Sequence, residues 1–355
     1  MTKNTAPRVF VGLSGGVDSS VAALRLKKRG FDVVGVFIKV WHPDFLVCNW
    51  EAERLDAMRV AAHLDIPFLT CDAEAAYRDE VAKYFIDEYL AGRTPNPDVM
   101  CNKHVKFGAF MDFALEMGAD FIATGHYARQ VIGDTGPELH RGLDQNKDQS
   151  YFLWTLTNEQ LSKTMLPIGD TIKDVIRNEA KLAGIPTASK KDSQGICFLG
   201  HIDIKDFLSH YTTLVPGKVL DTEGNVVGTH NGALIYTSGQ RHGIDITTAE
   251  KNRLPYYVVS KDVNKNIVVV STTKPILEKT SDILLNNLVL RSEVKVGDIF
   301  QTQSRYRQIP FTTKVTSVNE DSLTLELMTE TETPASGQSC VLYRESCCIG
   351  GGIIA

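Results

Sequence analysis

Along the first half of the chain, short apolar runs alternate with amphipathic stretches. Residues 9–13 are a run of β-formers that ends at Ser14-Gly15-Gly16. Residues 17–29 then follow a helical period, with Val17, Val21, Leu24 and Lys28 on one face and Gly30 as the stop. Residues 33–38 read as a second buried strand, and 51–63 as a helix with Leu55, Met58 and Ala62 inward. The same alternation predicts a strand at 67–70, helices at 74–90 and 103–117, a strand at 120–124 and a helix at 170–183 stopped by Gly184-Ile185-Pro186. Buried strands alternating with amphipathic helices predict an α/β fold, a doubly wound parallel sheet covered on both faces.

After residue 202 the helical period fades. Val219-Leu220 and Val226-Val227 flank a turn around Glu223-Gly224, and residues 256–260 and 267–271 flank Asn264-Lys265-Asn266, so two hairpins are predicted. From 283 to 350, short Val/Thr/Leu runs recur at small-barrel spacing. The chain therefore divides into an α/β domain (1–201), a small linking domain (202–277) and a C-terminal β-barrel (278–355). No repeat or low-complexity tract interrupts this.

Composition leaves that picture unchanged: 355 residues, 43% hydrophobic and 23% charged, are ordinary for a globular protein. No apolar run reaches the length of a membrane span, and the polar first residues lack a secretory apolar segment, so the cytoplasm is the expected location. A net charge of −5 means that a nucleic-acid partner needs a local basic surface. Seven cysteines, odd in number and irregular in spacing, argue for reduced or reactive thiols over a disulfide framework. They contain no Cys-x-x-Cys and show no zinc-ligand spacing with histidine.

Candidate chemistry begins at Ser14-Gly15-Gly16-Val17-Asp18-Ser19-Ser20, between the first strand and the first helix. Such a turn aims backbone N–H groups at an anion, and adjacent glycines let a phosphate approach the backbone. Asp18 would repel bare phosphate, which points to Mg²⁺ held by its carboxylate. A serine-capped helix after a tight turn is the plain alternative, but the full S-G-G-x-D-S string is far more specific than a lone Gly-Gly. It resembles the pyrophosphatase loop of N-type ATP pyrophosphatases, which cleave ATP between the α and β phosphates and adenylate an acceptor.

Two cysteines stand in Pro/Gly-punctuated polar segments. Cys101 closes Gly92-Arg93-Thr94-Pro95-Asn96-Pro97-Asp98-Val99-Met100-Cys101, ahead of a helix that Asn102 could cap, with Lys103, His104 and Lys106 close by. Cys197 follows Lys190-Lys191-Asp192-Ser193-Gln194-Gly195-Ile196. Cationic, helix-terminal surroundings favour thiolate, and Asp98 could relay a proton. The other cysteines, Cys48, Cys71, Cys340, Cys347 and Cys348, read as structural. Arg305-Tyr306-Arg307 pairs cations with a ring, which suits RNA.

With these motifs, A-T-G-H-Y (123–127), R-G-L-D-x-N-K-D-Q-S-Y-F-L (141–153), P-x-S-G-Q-S (334–339) and C-x-G-G-G-I-I (348–354), the chain resembles the bacterial tRNA-specific 2-thiouridylases over nearly its whole length. The resemblance implies an adenine nucleotide alpha hydrolase-like PP-loop domain. ATP would lie on Gly12, Leu13, Ser14, Gly15, Gly16, Val17, Asp18 and Ser19, with Ile38 and Gly125 around the adenosine. Asn96, Pro97 and Asp98 would meet the target base, the wobble uridine (position 34). Cys101 would be the nucleophile and Cys197 the persulfide carrier. His126, Lys147, Asp148, Gln149, Arg305, Tyr306 and Gln338 would contact tRNA. A persulfide-donating relay protein or a cysteine desulfurase would load the sulfur. Two departures stand out: relatives often have Met where Ile38 stands, and residues 42–49 lack their acidic run. An ATP pyrophosphatase acting on a small molecule and a non-catalytic tRNA-binding protein are the competing readings.

Overall fold

The computed structural model describes residues 6–46, 50–134, 136–191, 203–247 and 254–355. Its first unit is built on the strands β1 (Arg8–Gly12), β2 (Asp32–Lys39), β3 (Phe68–Asp72) and β4 (Phe121–Ala123), then a hairpin of β5 (Ala128–Gly133) and β6 (Gly136–Arg141), then β7 (Thr164–Met165). The sheet order is β3-β2-β1-β4-β7, with every neighbouring pair parallel. Successive side chains of a strand point to opposite faces. On β1, Val9 and Val11 accordingly enter one core and Phe10 the other. Both faces are apolar because helices cover both, as the buried runs predict.

Helices α1 (Val17–Lys28) and α2 (Trp50–His63) pack with Val9 and Val11. The opposite face carries helical segments Glu74–Tyr77 through Lys83–Leu90 and Pro97–Met100 through Phe110–Glu116, each containing a wide-turn stretch. Three expectations need correction. Lys28 is exposed, while Ala22, Ala23 and Leu26 join the buried side of α1. On α2, Leu55, Met58 and Ala62 face outward, and Ala57, Val60, Ala61 and Leu64 form the inner stripe. Both stripes fit a helical period; the small residues win because they let α2 lie close to Gly15. A Cβ at Gly15 would meet the Asp56 Cβ at 2.7 Å. Third, the helix expected to start at 103 begins at Pro97, capped by Asn96, whose side chain accepts from Val99 N at 3.3 Å. Asn102 is not the cap: its amide donates to the carbonyls of Asp98 (3.0 Å) and Phe152 (3.3 Å).

The linking unit has both expected hairpins: Gly217–Leu220 with Val226–His230, and Tyr257–Asp262 with Ile267–Ser271. They surround a small core that includes Val219, Val227, Tyr236 and Val268. The C-terminal strands Asp282–Leu290, Ile299–Gln303, Phe311–Val318, Ser322–Leu327, Ser339–Arg344 and Cys347–Ile354 form a barrel. It closes where the first pairs with the last, Leu285 opposite Ile354 and Leu290 opposite Gly350.

The sequence showed no sign of one feature: β5 and β6 extend the barrel sheet, with His140 opposite Cys347. Val341, Tyr343 and Cys348 of the barrel lie in the same core as Phe10, Cys101 and Trp154. Arg291 donates to the carbonyls of Trp154 and Leu156, both at 2.8 Å. Among the described residues, no helix is long and apolar enough to cross a membrane.

Candidate active site

β2 and β3 lie to one side of β1 and β4 to the other, so the chain changes direction at the C-terminal ends of β1 and β4. A crevice at such a switch point is where open α/β sheets bind ligands. Ser14, Gly15 and Gly16 make the turn there, Gly15 at φ +69. Gly16 is the N-cap of α1 and supplies no side-chain cap. The first N–H groups of α1 are thus left pointing into the crevice, with the positive end of the helix dipole behind them. Ser14 and Ser19 hold the turn together, their hydroxyls 3.3 Å apart, and Gly16 N donates to Ser14 Oγ. Ser20 donates to Gly16 O at 2.7 Å.

Gly125, at the end of β4, closes the other side. A Cβ there would lie 2.6 Å from Ser19 N and 2.7 Å from the Asp18 carbonyl carbon, so glycine is the residue that fits. At the end of β2, Ile38 rests over Gly12, where a Cβ would find its Cδ1 at 3.5 Å. Leu13 and Val17 are buried in the core beneath the turn. The ten positions expected around ATP therefore come together at one edge of the sheet.

Asp18 is differently placed from the metal-ligand expectation. Lys173 Nζ lies 2.8 Å from both carboxylate oxygens, and Tyr127 OH donates to Oδ1 at 2.7 Å. Lys173 is buried at the start of the Lys173–Leu182 helix, its own N–H donating to Asp144. A carboxylate already matched by a lysine does not fit the role of a waiting Mg²⁺ ligand. Lys173 lies outside every motif that marks the site in the sequence. The available signal was a cation in a helix first turn, where the dipole disfavours it.

The segment from Gly92 to Asp98 is where all three units meet. Thr94 N donates to Ser336 O at 2.8 Å, and a Cβ at Gly337 (φ +87) would lie 2.9 Å from Arg93 Cβ. Thr94 Oγ1 is 3.0 Å from Thr237 Oγ1 of the linking unit. A Cβ at Gly92 would lie 2.9 Å from Val263. Pro97 is buried and Asn96 caps the helix that follows. Burial pushes the Asp98 carboxyl above its usual range, against the pull of the Lys106 ammonium. Cys101 stands inside this helix, not in a loop, and is only 6% exposed. Cys197 and its neighbours 192–200 lie outside the described residues.

The residues expected at tRNA divide by how committed they are. Asp148 accepts from Gly142 N, Ser150 N, Ser150 Oγ and Arg141, so its carboxylate organises its own turn. Gln149 exchanges hydrogen bonds with the Tyr127 backbone. Lys147, half-buried, sits in the same turn and donates its N–H to Asp144 O. Arg305 bridges barrel and linking unit, donating to Ser238 O at 2.9 Å and pairing with Glu332 at 3.3 Å. The Tyr306 ring lies 4.5 Å from that of Phe152, and the Arg307 guanidinium lies over it. His126 is buried beside Thr124, at 2.7 Å; burial and Lys106 hold its pKa well below the usual value, so the ring is neutral. The side-chain oxygen of Gln338 is buried with no partner among the described residues.

Three family profiles match in succession: a tRNA methyl transferase HUP domain over 7–201, a tRNA methyl transferase PRC-barrel domain over 205–272 and an aminomethyltransferase beta-barrel domain over 288–354. The chain is 44% identical to a tRNA-specific 2-thiouridylase of Bacillus licheniformis, over 98% of this chain and 94% of that one. It is 42% identical to the one from Proteus mirabilis, over 100% and 98%. With that of Levilactobacillus brevis it shares 44%, over 100% and 96%.

Proposed function

The chain belongs to the family of tRNA-specific 2-thiouridylases, and from that premise we propose that it uses ATP to activate the C2 carbonyl of the wobble uridine of tRNA and then exchanges that oxygen for sulfur. The observation that carries the reading is the uncapped N-terminus of α1 behind the Ser14-Gly15-Gly16 turn, facing the crevice between β1 and β4. The family profiles speak of methyl transfer and the relatives of thiolation. A phosphate-binding turn suits ATP, and the Cys101 and Cys197 motifs suit sulfur.

ATP lies with its phosphates on the turn and its adenosine between Ile38 and Gly125. The uridine leaves its stack to reach Asn96, Pro97 and Asp98, since chemistry on a base requires it. Its C2 oxygen attacks the α phosphate and pyrophosphate leaves, so that oxygen becomes part of a good leaving group, AMP. Cys197 carries the sulfur as a persulfide delivered by a relay protein or a cysteine desulfurase. Cys101 attacks the persulfide's inner sulfur. The terminal sulfur passes to C2, AMP departs with the oxygen, and a Cys101–Cys197 disulfide remains. An external reductant restores the two thiols. Asp98, with its raised pKa, is suited to hold or give a proton at the base. Lys173 supplies the positive charge that meets the phosphates beside Asp18, and no step is assigned to Mg²⁺. Residues 1–201, 202–277 and 278–355 are taken as the nucleotide, linking and tRNA-binding units, and the cytoplasm as the place where substrate is met.

The test is mass spectrometry of nucleosides from tRNA incubated with ATP and a persulfide donor. 2-Thiouridine, with AMP and pyrophosphate, is the expected product. Cys197→Ser should stop thiolation and leave adenylation intact, and Cys101→Ser should accumulate persulfide on Cys197. Multiple turnover by either variant would overturn the sulfur path.

A further inference from the structure

Outside the crevice, the junction of β6 with the strand Cys347–Ile354 gathers three metal-ligating side chains of different kinds. Glu138 and His140 are two apart on β6 and so project from the same face. Cys347 stands directly opposite His140 across the sheet. One donor atom from each of the three lies within 4.8 Å of the other two. We propose that Glu138, His140 and Cys347 bind a zinc ion that fastens the β5–β6 hairpin to the barrel. The proposal is independent of the thiolation reading.

The donor chemistry decides the metal. One thiolate, one imidazole and one carboxylate suit a borderline-soft, tetrahedral ion, whereas Mg²⁺ and Ca²⁺ take oxygen shells. Ligand bonds of about 2.0–2.3 Å place neighbouring donors of a tetrahedron roughly 3.3–3.6 Å apart. His140 Nε2 and Glu138 Oε2 are already 2.9 Å apart, so entry of the ion has to widen this pair, while the Cys347 sulfur lies within 4.8 Å of a donor atom of each. The other ring nitrogen, Nδ1, lies 2.9 Å from Ser346 Oγ. A zinc-bound histidine uses this type of outer partner to fix its tautomer. On binding, the imidazole proton sits on Nδ1 and is donated to Ser346, the Cys347 thiol proton passes to solvent, and water completes the fourth position. Room for the carboxylate comes from Gly133, where a Cβ would collide with Glu138.

Metal would matter at this point in the fold. The junction of β6 with the strand Cys347–Ile354 is registered at a single pair, His140 with Cys347, with Arg141 N donating to Ser346 O at 2.8 Å beside it.

The experiment uses the full-length protein, reduced and stripped with chelator, titrated with Zn²⁺ against a chromophoric competitor, and with Co²⁺ for its thiolate charge-transfer band. We expect one equivalent of Zn²⁺, a rise in Tm on binding, and a Co²⁺ charge-transfer band. His140→Ala and Cys347→Ser should each abolish the high-affinity equivalent, and Ser346→Ala should weaken it by roughly tenfold. Glu138→Gln preserves the side-chain shape and should also weaken binding, which guards against misfolding of the larger changes. Cys101→Ser should leave zinc binding unchanged. Failure to bind Zn²⁺, binding that survives both His140→Ala and Cys347→Ser, or binding lost with Cys101→Ser would each overturn the proposal.

Discussion

At the scale of the residue, Lys173 and Asp98 make the sharpest statements. The Lys173 ammonium touches both oxygens of Asp18 and lies next to the uncapped end of α1. Lys173→Met removes that charge and leaves Asp18 facing the incoming phosphates. Adenylation, followed by pyrophosphate release, should fall by roughly 10²–10³-fold, the effect of losing one oriented electrostatic group, with tRNA affinity little changed. Had Asp18 been a metal ligand waiting for Mg²⁺, the same substitution would free it and activity would survive or rise. Asp98 offers a test of sign. Its pKa in the folded protein stands above the ordinary carboxylate value, chiefly through burial. The fold therefore favours the protonated form, and that contribution is fully present below the unfolded pKa and lost as pH rises through the folded one. Asp98→Asn, which imitates the protonated side chain, should match the wild type in denaturant midpoint at acid pH and exceed it near neutrality. Thiolation by the same variant should drop by roughly 10²-fold or more, the loss expected of a positioned acid or base.

At the scale of the element, the segment 92–98 is the part on which the three units converge. The barrel loop reaches it at Gly337, in a left-handed conformation and with no room for a side chain. Gly337→Ala should cost about 1–3 kcal/mol through backbone strain and the clash with Arg93 and Thr94. Because Thr94 would be displaced with the loop, thiolation should fall more than ATP binding does. Equal loss of both, measured by nucleotide affinity and tRNA turnover, would show that the loop does not position the base. Helix α2 shows at this scale how a pattern can be right in period and wrong in phase. Its apolar residues fit two stripes, and the close approach of Gly15 selects the one made of Ala57, Val60 and Ala61.

At the scale of the molecule, the nucleotide unit and the barrel share a core. Tyr151 donates to the carbonyls of Ser304 and Ser339, and Tyr343 is buried with Trp154. Thermal unfolding should therefore show one transition for these two units, by calorimetry and by near-UV signal alike. Removal of 278–355 would expose that core, so the truncated chain should be destabilised as a whole and not merely lose tRNA. Affinity of the intact protein for tRNA should fall as salt rises, since phosphate contacts release counterions even from a protein of net charge −5. A salt-independent affinity would argue against phosphate contacts altogether.

What the sequence determined by itself was local. The Ser14-Gly15-Gly16 turn is a contiguous string between a strand and a helix, so its conformation was legible, as were the parallel sheet, the two hairpins of the linking unit and the barrel. The helix that carries Cys101 was legible in kind but not in extent: it was expected to begin after Cys101 and in fact begins at Pro97. Tertiary structure decided what distant segments do to one another. It put Lys173 on Asp18, turned the expected metal ligand into half of an ion pair, and committed Asp148 and Arg305 to internal bonds. It also carried the β5–β6 hairpin out of its own unit into the barrel sheet, bringing Glu138 and His140 to Cys347. The physical reason is common to all of these. Periodicity and turn chemistry fix the conformation of neighbours in the chain, whereas strand pairing and ion pairing depend on which surfaces meet, and no spacing in the sequence records that.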